Sequence, residues 1–371
     1  MEPKQNIEAS SNTEASTTPE PAQGGDQPTS YFAKYYSGRP QSQGVVNCYA
    51  YSRKTGLRLD YLSLCDVSEV MANEPDVFVW IGLFEPPLEV LQELQQEFHL
   101  HELAVEDAMR GHHRAKIESY EDTLFMLLQT AQLIEGKIQF GSTALFLGER
   151  FLITVRSGAS VSYRTVRTHC EQHPQKMKSL GPGYVLHGIL DFVVDNFMPI
   201  TQQLGEQIRG LEGKIFSDKF SKRTLRYLYD LKSDLITLKL AVSPLREICG
   251  YFLYHKSEGK SYFPNSAIPY FRDIHDHVLG TLDAIEGQNE ILRLSMETHL
   301  ALVGVGQNEI VKRLASWAGI LAVPTLMTSY YGMNFVNMPE LHWQYGYYIW
   351  DGIMLIATVL LYIKLKKVRW L

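Results

Sequence analysis

Cysteine is scarce in this sequence: Cys48, Cys65, Cys170 and Cys249 are the only four in 371 residues, and no two form a C-x-x-C pair. This argues against a zinc ribbon or a disulfide framework and for free thiols in a reducing compartment. A Walker loop, a G-x-G-x-x-G turn and a nucleophile–base constellation are all missing, so no enzymatic activity is expected. The first residues lack a charged region followed by an apolar run, so no secretory signal peptide is expected. The net charge is −6, and no nucleic-acid partner is expected. Two further absences shape the rest of the reading. No proline occurs between Pro269 and Pro324, and no Lys or Arg between Arg313 and Lys364.

Residues 1–43 are rich in Ser, Thr, Glu, Gln, Pro and Gly. Such a segment cannot bury enough apolar surface to offset its ordering entropy, so a disordered tail is expected. From Val45 the texture becomes mixed α/β. "VVNCYAYS" and "VFVWIGLF" are β-branched and aromatic, as strands are. "PPLEVLQELQQEFHL" has apolar residues at helical spacing behind Pro86 and Pro87. "TLFMLLQTAQLI", "IQFGSTALFLG" and "RFLITVRSG" read as consecutive strands ending near Gly158. Tyr184 to about His255 is helical, with "FSDKFSKR" its evident break, which predicts a two-helix hairpin. Residues 44–268 are thus expected to form an α+β domain, a mixed sheet with helices and a helical hairpin.

After Pro269, apolar or small residues recur in steps of three and four at Ile274, Val278, Leu282, Ile285, Leu292, Met296, Val303, Gly306 and Ile310. The pattern predicts a very long helix with one seam of period about 3.5. A helix of roughly fifty-five residues would run about 80 Å, more than a globular core needs. A bundle of identical helices around an axis is one explanation. Two shorter helices broken near Gly304 and Gly306 are the other. The stalk is assigned to 269–313, a first membrane span to 314–333, an outer loop to 334–344, a second span to 345–365 and a basic tail to 366–371.

The run "LASWAGILAVPTLMTSYY" is uncharged and has the length of a bilayer core. The second span is interrupted by Asp351, expected to snorkel outward or to hydrogen-bond the first span. Trp343, Tyr345, Tyr347, Tyr348 and Trp350 form an aromatic belt at its outer end. Lys312 and Arg313 precede the first span, and Lys364, Lys366, Lys367 and Arg369 follow or end the second. Positive residues stay on the cytoplasmic side, so both termini are expected inside and the intervening loop outside. Two spans cannot enclose an aqueous path, so a channel would need several copies of the chain. The first span, with Ser316, Thr325, Thr328 and Ser329, is the expected pore wall; the second faces lipid.

The loop between the spans reads "YGMNF", then "MPEL". These motifs resemble the CorA magnesium and cobalt transporters, as do "VWIGLFEP", "HLHELAVEDAMRGHHRAKIESYEDTLFMLL" and "RFLITVRSG" in the preceding domain. The resemblance covers Val45 to Leu371. It implies a homopentameric funnel in the cell's inner or plasma membrane that moves Mg²⁺, and also Co²⁺ and Ni²⁺, inward.

The resemblance also assigns residues. A ring of Asn334 amides can hydrogen-bond a hydrated Mg²⁺ without stripping its waters. Met333 completes the motif, and Gly332 is expected to permit a tight turn. Val311 and Leu314 match a hydrophobic constriction, with Asn308 a polar ring one turn earlier. Ordinary packing would also account for Val311 and Leu314. Glu106 and Asp107 match an acidic pair that faces Asp273 of the neighbouring protomer, with His277 at a second site. Divalent cations bridging them would sense cytoplasmic Mg²⁺. Taken alone, these four residues read as solvated surface groups. Glu340 either concentrates cations at the outer mouth or is an ordinary solvated acid. The alternative function is a zinc transporter of the same fold, proton-coupled; "MPEL" favours the magnesium branch. His99, His101, His112 and His113 lie close in sequence but lack the Cys or further acids that a transition-metal site needs.

Overall fold

The computed structural model describes residues 42–110, 114–215, 222–254, 264–334, 338 and 342–371. The N-terminal segment to residue 41, His112, His113, the hairpin tip at 216–221 and Glu340 lie outside the described residues. Seven strands form one mixed sheet: β1 (Val45–Ser52), β2 (Arg58–Tyr61), β3 (Val77–Phe84), β4 (Lys116–Tyr120), β5 (Thr123–Ile134), β6 (Lys137–Leu147) and β7 (Phe151–Gly158). Their order is β2-β1-β3-β7-β6-β5-β4. Only the β3–β7 pair is parallel. "VFVWIGLF" shows no alternation because β3 is central and covered on both sides; its residues from Val77 to Leu83 are all buried.

Each face of the sheet carries its own core. Strand β5 shows the division: Leu124, Met126 and Leu128 join one core, Phe125 and Leu127 the other. Helices α1 (Val67–Asn73), α2 (Leu88–Phe98) and α3 (Glu102–Arg110) cover the second face. The first face is covered by α4 (Arg164–Glu171), α5 (Pro174–Leu180), α6 (Pro182–Asp195), α7 (Phe197–Ile215), α8 (Lys222–Tyr254) and the start of α9 (Ile268–Tyr331). The last helix, α10 (Gly346–Lys367), runs beside the end of α9.

Two expectations need correction. The helical region is not a two-helix hairpin alone, because it breaks at Asn196 into α6 and α7. Pro199 has no N–H to donate to the Asp195 carbonyl, which interrupts the ladder at that point. The second correction concerns the long seam. Helix α9 is continuous over 64 residues, with Gly304 and Gly306 inside it. At 1.5 Å per residue that is about 96 Å. The first half of the seam is satisfied within the chain rather than by identical helices. Ile274, Val278, Leu282, Ile285 and Leu292 are buried in the core that α6, α7 and α8 build. Each such side chain contributes about 1.5–3 kcal/mol to docking the helix. Residues 301–315, by contrast, are exposed on every side of the helix. Apolar residues there, including Val303, Val305 and Ile310, need partners from outside the chain.

Candidate functional site

The end of α9 has two distinct sides. One is occupied by α10. Ser316 is only 2% exposed; its hydroxyl donates to the Lys312 carbonyl at 2.8 Å and to the Trp370 carbonyl at 3.4 Å. Ile320 is buried one turn on, and at the C-terminal end of α9 Tyr331 meets Trp350 edge-on with centroids 4.9 Å apart. Ser316 therefore belongs to the helix–helix seam and not to a pore wall.

The other side carries the pore candidates. At 3.6 residues per turn, Ser316 and Ile320 lie about 80° and 120° round the helix from Asn308 in one sense. Val311, Leu314 and Thr325 lie about 60°, 120° and 100° round in the opposite sense. Val311 and Leu314 are 61% and 71% exposed, and Asn308 and Thr325 are exposed too. The Thr325 hydroxyl donates to the Leu321 carbonyl at 2.7 Å. A single chain thus leaves bare an arc of α9 that holds Asn308, Val311, Leu314 and Thr325, facing away from α10. Helix α10 has no buried residue and is suited to lipid.

The loop follows directly on α9. The Gly332 N–H bonds the Thr328 and Ser329 carbonyls, and the Met333 N–H the Tyr330 carbonyl, closing the last turn. Asn334 comes next, exposed. The expected reason for Gly332 is not upheld. Its φ is −85°, open to any residue, and an added Cβ would meet nothing closer than the Ser329 carbonyl at 3.5 Å. No turn within one chain requires glycine here. Asp351 accepts a side-chain hydrogen bond from Tyr347, one turn nearer the N-terminal end of α10. The acid is paired along its own helix and, among the described residues, not to α9.

The candidate metal-sensing residues fall into two groups, separated by the sheet. Glu106 and Asp107 lie on α3, over one core; Asp273 and His277 lie on α9, over the other. One chain does not bring the four together. Each member of the acidic pair instead holds a cation of its own chain. Arg110 bonds Glu106 at 2.5 Å, and the Lys116 Nζ bonds Asp107 Oδ2 at 2.8 Å and Glu118 Oε2 at 2.7 Å. The Tyr120 hydroxyl donates to the same Glu118 oxygen at 2.7 Å. Burial would push the Lys116 ammonium down, but its bonds to Asp107 and Glu118 outweigh this and hold its pKa above the ordinary value. Burial would likewise raise Glu118, but Lys116 and Tyr120 prevail and lower it.

On the other side of the sheet, two residues absent from the sequence reading join His277. Asp191, Asp195 and His277 place ligand atoms within 4.8 Å of one another. His277 Nδ1 lies 3.3 Å from Asp195 Oδ1, yet is buried and makes no hydrogen bond. Burial, then the charge of Asp195, raises the Asp191 pKa, with His277 pulling against them. Asp273, one turn before His277, adds a third negative charge that acts on Asp191. The signal for Asp191 and Asp195 was present: His187, Asp191 and Asp195 form an i, i+4, i+8 polar stripe on the otherwise apolar "PGYVLHGILDFVVD".

A family model described as CorA-like Mg²⁺ transporter protein matches residues 75–367. The chain belongs to this family. Its members are transporters, not enzymes. The Cobalt/magnesium transport protein CorA of Thermotoga maritima is 26% identical over 285 residues, 76% of this chain and 80% of that protein. Among solved structures, the complete CorA magnesium transporter of Methanocaldococcus jannaschii superposes with a TM-score of 0.70 at 18% identity, over 88% of this chain and 99% of that one. A ZntB cytoplasmic domain from Vibrio parahaemolyticus gives 0.51 at 12% identity, over 70% of this chain and 98% of that one. The sheet domain, the very long helix and the final apolar helix are therefore CorA-like as a whole.

For this CorA-family chain the remaining sequence candidates have structural roles among the described residues. His99 takes φ 53° as the C-cap of α2. The His101 ring accepts the Leu103 N–H at 3.2 Å and stacks on Tyr120 with centroids 4.2 Å apart. Cys48, Cys170 and Cys249 are buried, and burial pushes the Cys170 and Cys249 thiols up to about 12, where they are unreactive.

Proposed function

We propose that the chain forms a homopentameric channel in the cell's inner or plasma membrane, with both termini cytoplasmic, that admits Mg²⁺ and also Co²⁺ and Ni²⁺. The observation that carries this reading is the bare arc of α9. Its polar and apolar residues face away from the lipid-suited α10 and lead to Asn334 at the outer end. Copies packed around that arc would line an axis with Asn308, then Val311 and Leu314, then Thr325, and close it outside with a ring of Asn334 amides. The membrane potential supplies about 2.3 kcal/mol per charge per 100 mV for inward movement. Glu340, in the loop beyond Asn334, would add negative charge at the mouth.

Gating follows from the cytoplasmic acids. Glu106 and Asp107 cannot reach Asp273 of their own chain, so a cation bridging them must join two protomers. Without the cation, two carboxylates about 4 Å apart repel by about 4 kcal/mol at an effective dielectric near 20. Lys116 and Arg110 offset part of that repulsion within the chain. Cytoplasmic Mg²⁺ would then favour the symmetric closed ring, and its loss a splayed open one.

The direct test is ion flux into liposomes holding the purified protein, with Mg²⁺ and Zn²⁺ in competition. Inward Mg²⁺ flux that Zn²⁺ does not displace at equal concentration supports this reading. The second reading, a zinc transporter, is favoured by one feature: the imidazole of His277 beside Asp191 and Asp195 suits Zn²⁺ or Co²⁺ better than Mg²⁺. Zn²⁺ flux with little Mg²⁺ flux would establish it.

The sensor is tested separately by limited proteolysis. Millimolar Mg²⁺ should slow cleavage of the native protein, and the Asp107→Ala/Asp273→Ala variant should show a smaller difference. Each substitution removes a ligand and also a repelling charge, so partial loss of Mg²⁺ inhibition is expected rather than a locked-open channel. Full Mg²⁺ protection of the double variant would return these acids to the role of ordinary surface groups.

A further inference from the structure

The cation-sensing reading of Asp107 leaves one fact unused: its carboxylate already holds a cation. Lys116 and Glu118 occupy alternate positions of β4, the edge strand of the sheet, and both point toward α3. The Lys116 ammonium sits between Asp107 Oδ2 at 2.8 Å and Glu118 Oε2 at 2.7 Å, while Tyr120 fixes Glu118 from the strand's next alternate position. An ammonium is a compact, strongly hydrated point charge, the side chain closest in character to a hydrated metal ion. Divalent Mg²⁺ seeks carboxylate oxygens of the same kind and keeps most of its waters. The two cations therefore compete for one carboxylate.

We propose that Lys116 is a resident cation that Mg²⁺ must displace from Asp107, so that this ion pair sets the Mg²⁺ concentration at which neighbouring protomers are bridged. The inference rests on the sensor reading of Asp107. In the metal-free chain the ammonium offsets one of the two negative charges it touches, Asp107 and Glu118, and so lessens repulsion between protomers. In the metal-bound assembly it turns to Glu118 alone. The position of Lys116 thus raises the Mg²⁺ threshold without Lys116 itself touching the ion. Lys116 is a positioning residue, acting through Asp107.

The test uses the full chain, Mg²⁺ alone as ligand, and chymotrypsin, whose cleavage sites Lys116 substitutions leave intact. The readout is the Mg²⁺ midpoint for protection from cleavage. Lys116→Met and Lys116→Gln should both lower the midpoint, by roughly three- to fivefold, the size that a partly exposed ion pair supports. Lys116→Gln retains a hydrogen-bond donor and keeps the test open if the methionine variant folds poorly. Lys116→Arg preserves the charge, and its midpoint should not fall. In EDTA both neutral variants should melt below the native protein, and Mg²⁺ should restore more of the difference in them. A purely structural lysine would lower melting equally with and without Mg²⁺. Native midpoints in both neutral variants would overturn the inference, as would an equal fall when Lys116→Met is placed in an Asp107→Ala background. The two readings fail differently. If Asp107→Ala alone leaves the midpoint unchanged, the sensor reading fails; if it raises the midpoint while the Lys116 variants do not lower it, only this inference fails.

Discussion

Asn334→Ala should abolish Mg²⁺ uptake while the protein still assembles. Asn334 is exposed immediately after the last turn of α9, where copies of the chain would meet around the axis. Its amide offers both a carbonyl oxygen and an NH₂ to the waters of an arriving ion. A net hydrogen bond of this kind is worth about 1 kcal/mol. Losing one from every protomer at once should reduce uptake at least about a hundredfold, since each 1.36 kcal/mol is a factor of ten. The measurement is ²⁸Mg²⁺ or Co²⁺ uptake into liposomes, with the oligomer checked by size-exclusion chromatography. Asn334 is exposed and, among the described residues, its side chain makes no hydrogen bond, so assembly should survive. Native uptake by a correctly assembled Asn334→Ala protein would remove this residue from the ion path.

Leu314→Asn should leave the channel conducting at internal Mg²⁺ concentrations that shut the native one. Leu314 is exposed on the arc of α9 turned away from α10, and Val311 stands one turn before it. A ring of such side chains around a narrow axis excludes water, and a hydrated ion cannot cross. An amide in each chain would wet the constriction, much as the nearby Asn308 is suited to do. Flux in millimolar Mg²⁺ should rise about tenfold or more, which corresponds to lowering the barrier by about 1.4 kcal/mol or more. If Leu314 instead packs an apolar contact between neighbours, the variant would lose oligomer and not gain flux. An intact oligomer that closes as tightly as the native protein would place the gate elsewhere.

The sheet and the two long apolar C-terminal helices were legible because their signals are local. A strand buried on both faces must be apolar throughout, and β3 reads "VFVWIGLF" for that reason. A span must be uncharged for the thickness of the hydrocarbon core, and both terminal segments are, apart from Asp351 and, at the C-terminal end, Lys364. The Gly-Met-Asn loop, the acids Glu106, Asp107 and Asp273, and His277 were named by resemblance alone. The break at Asn196 could have been read from Pro199, whose missing N–H is a local fact.

Partnership was not legible, because periodicity marks a face as apolar without naming what covers it. The seam of α9 runs evenly from Ile274 to Ile310, yet its first half is buried by α6, α7 and α8 and its second half is bare. Ser316 and Thr325 looked alike as polar residues of one span. Only the position of α10 assigns Ser316 to the helix seam and Thr325 to the open side. Asp191 and Asp195 reach His277 across more than eighty residues of chain through the packing of α6 on α9. Lys116 reaches Asp107 because its side chain stands on the α3 side of the edge strand β4. The chain's own order of residues determined which segments fold, which are long and apolar enough to cross a membrane and where the charges lie. The tertiary structure alone decided which charges meet, because a contact between distant residues depends on how whole elements pack, and no local pattern encodes that.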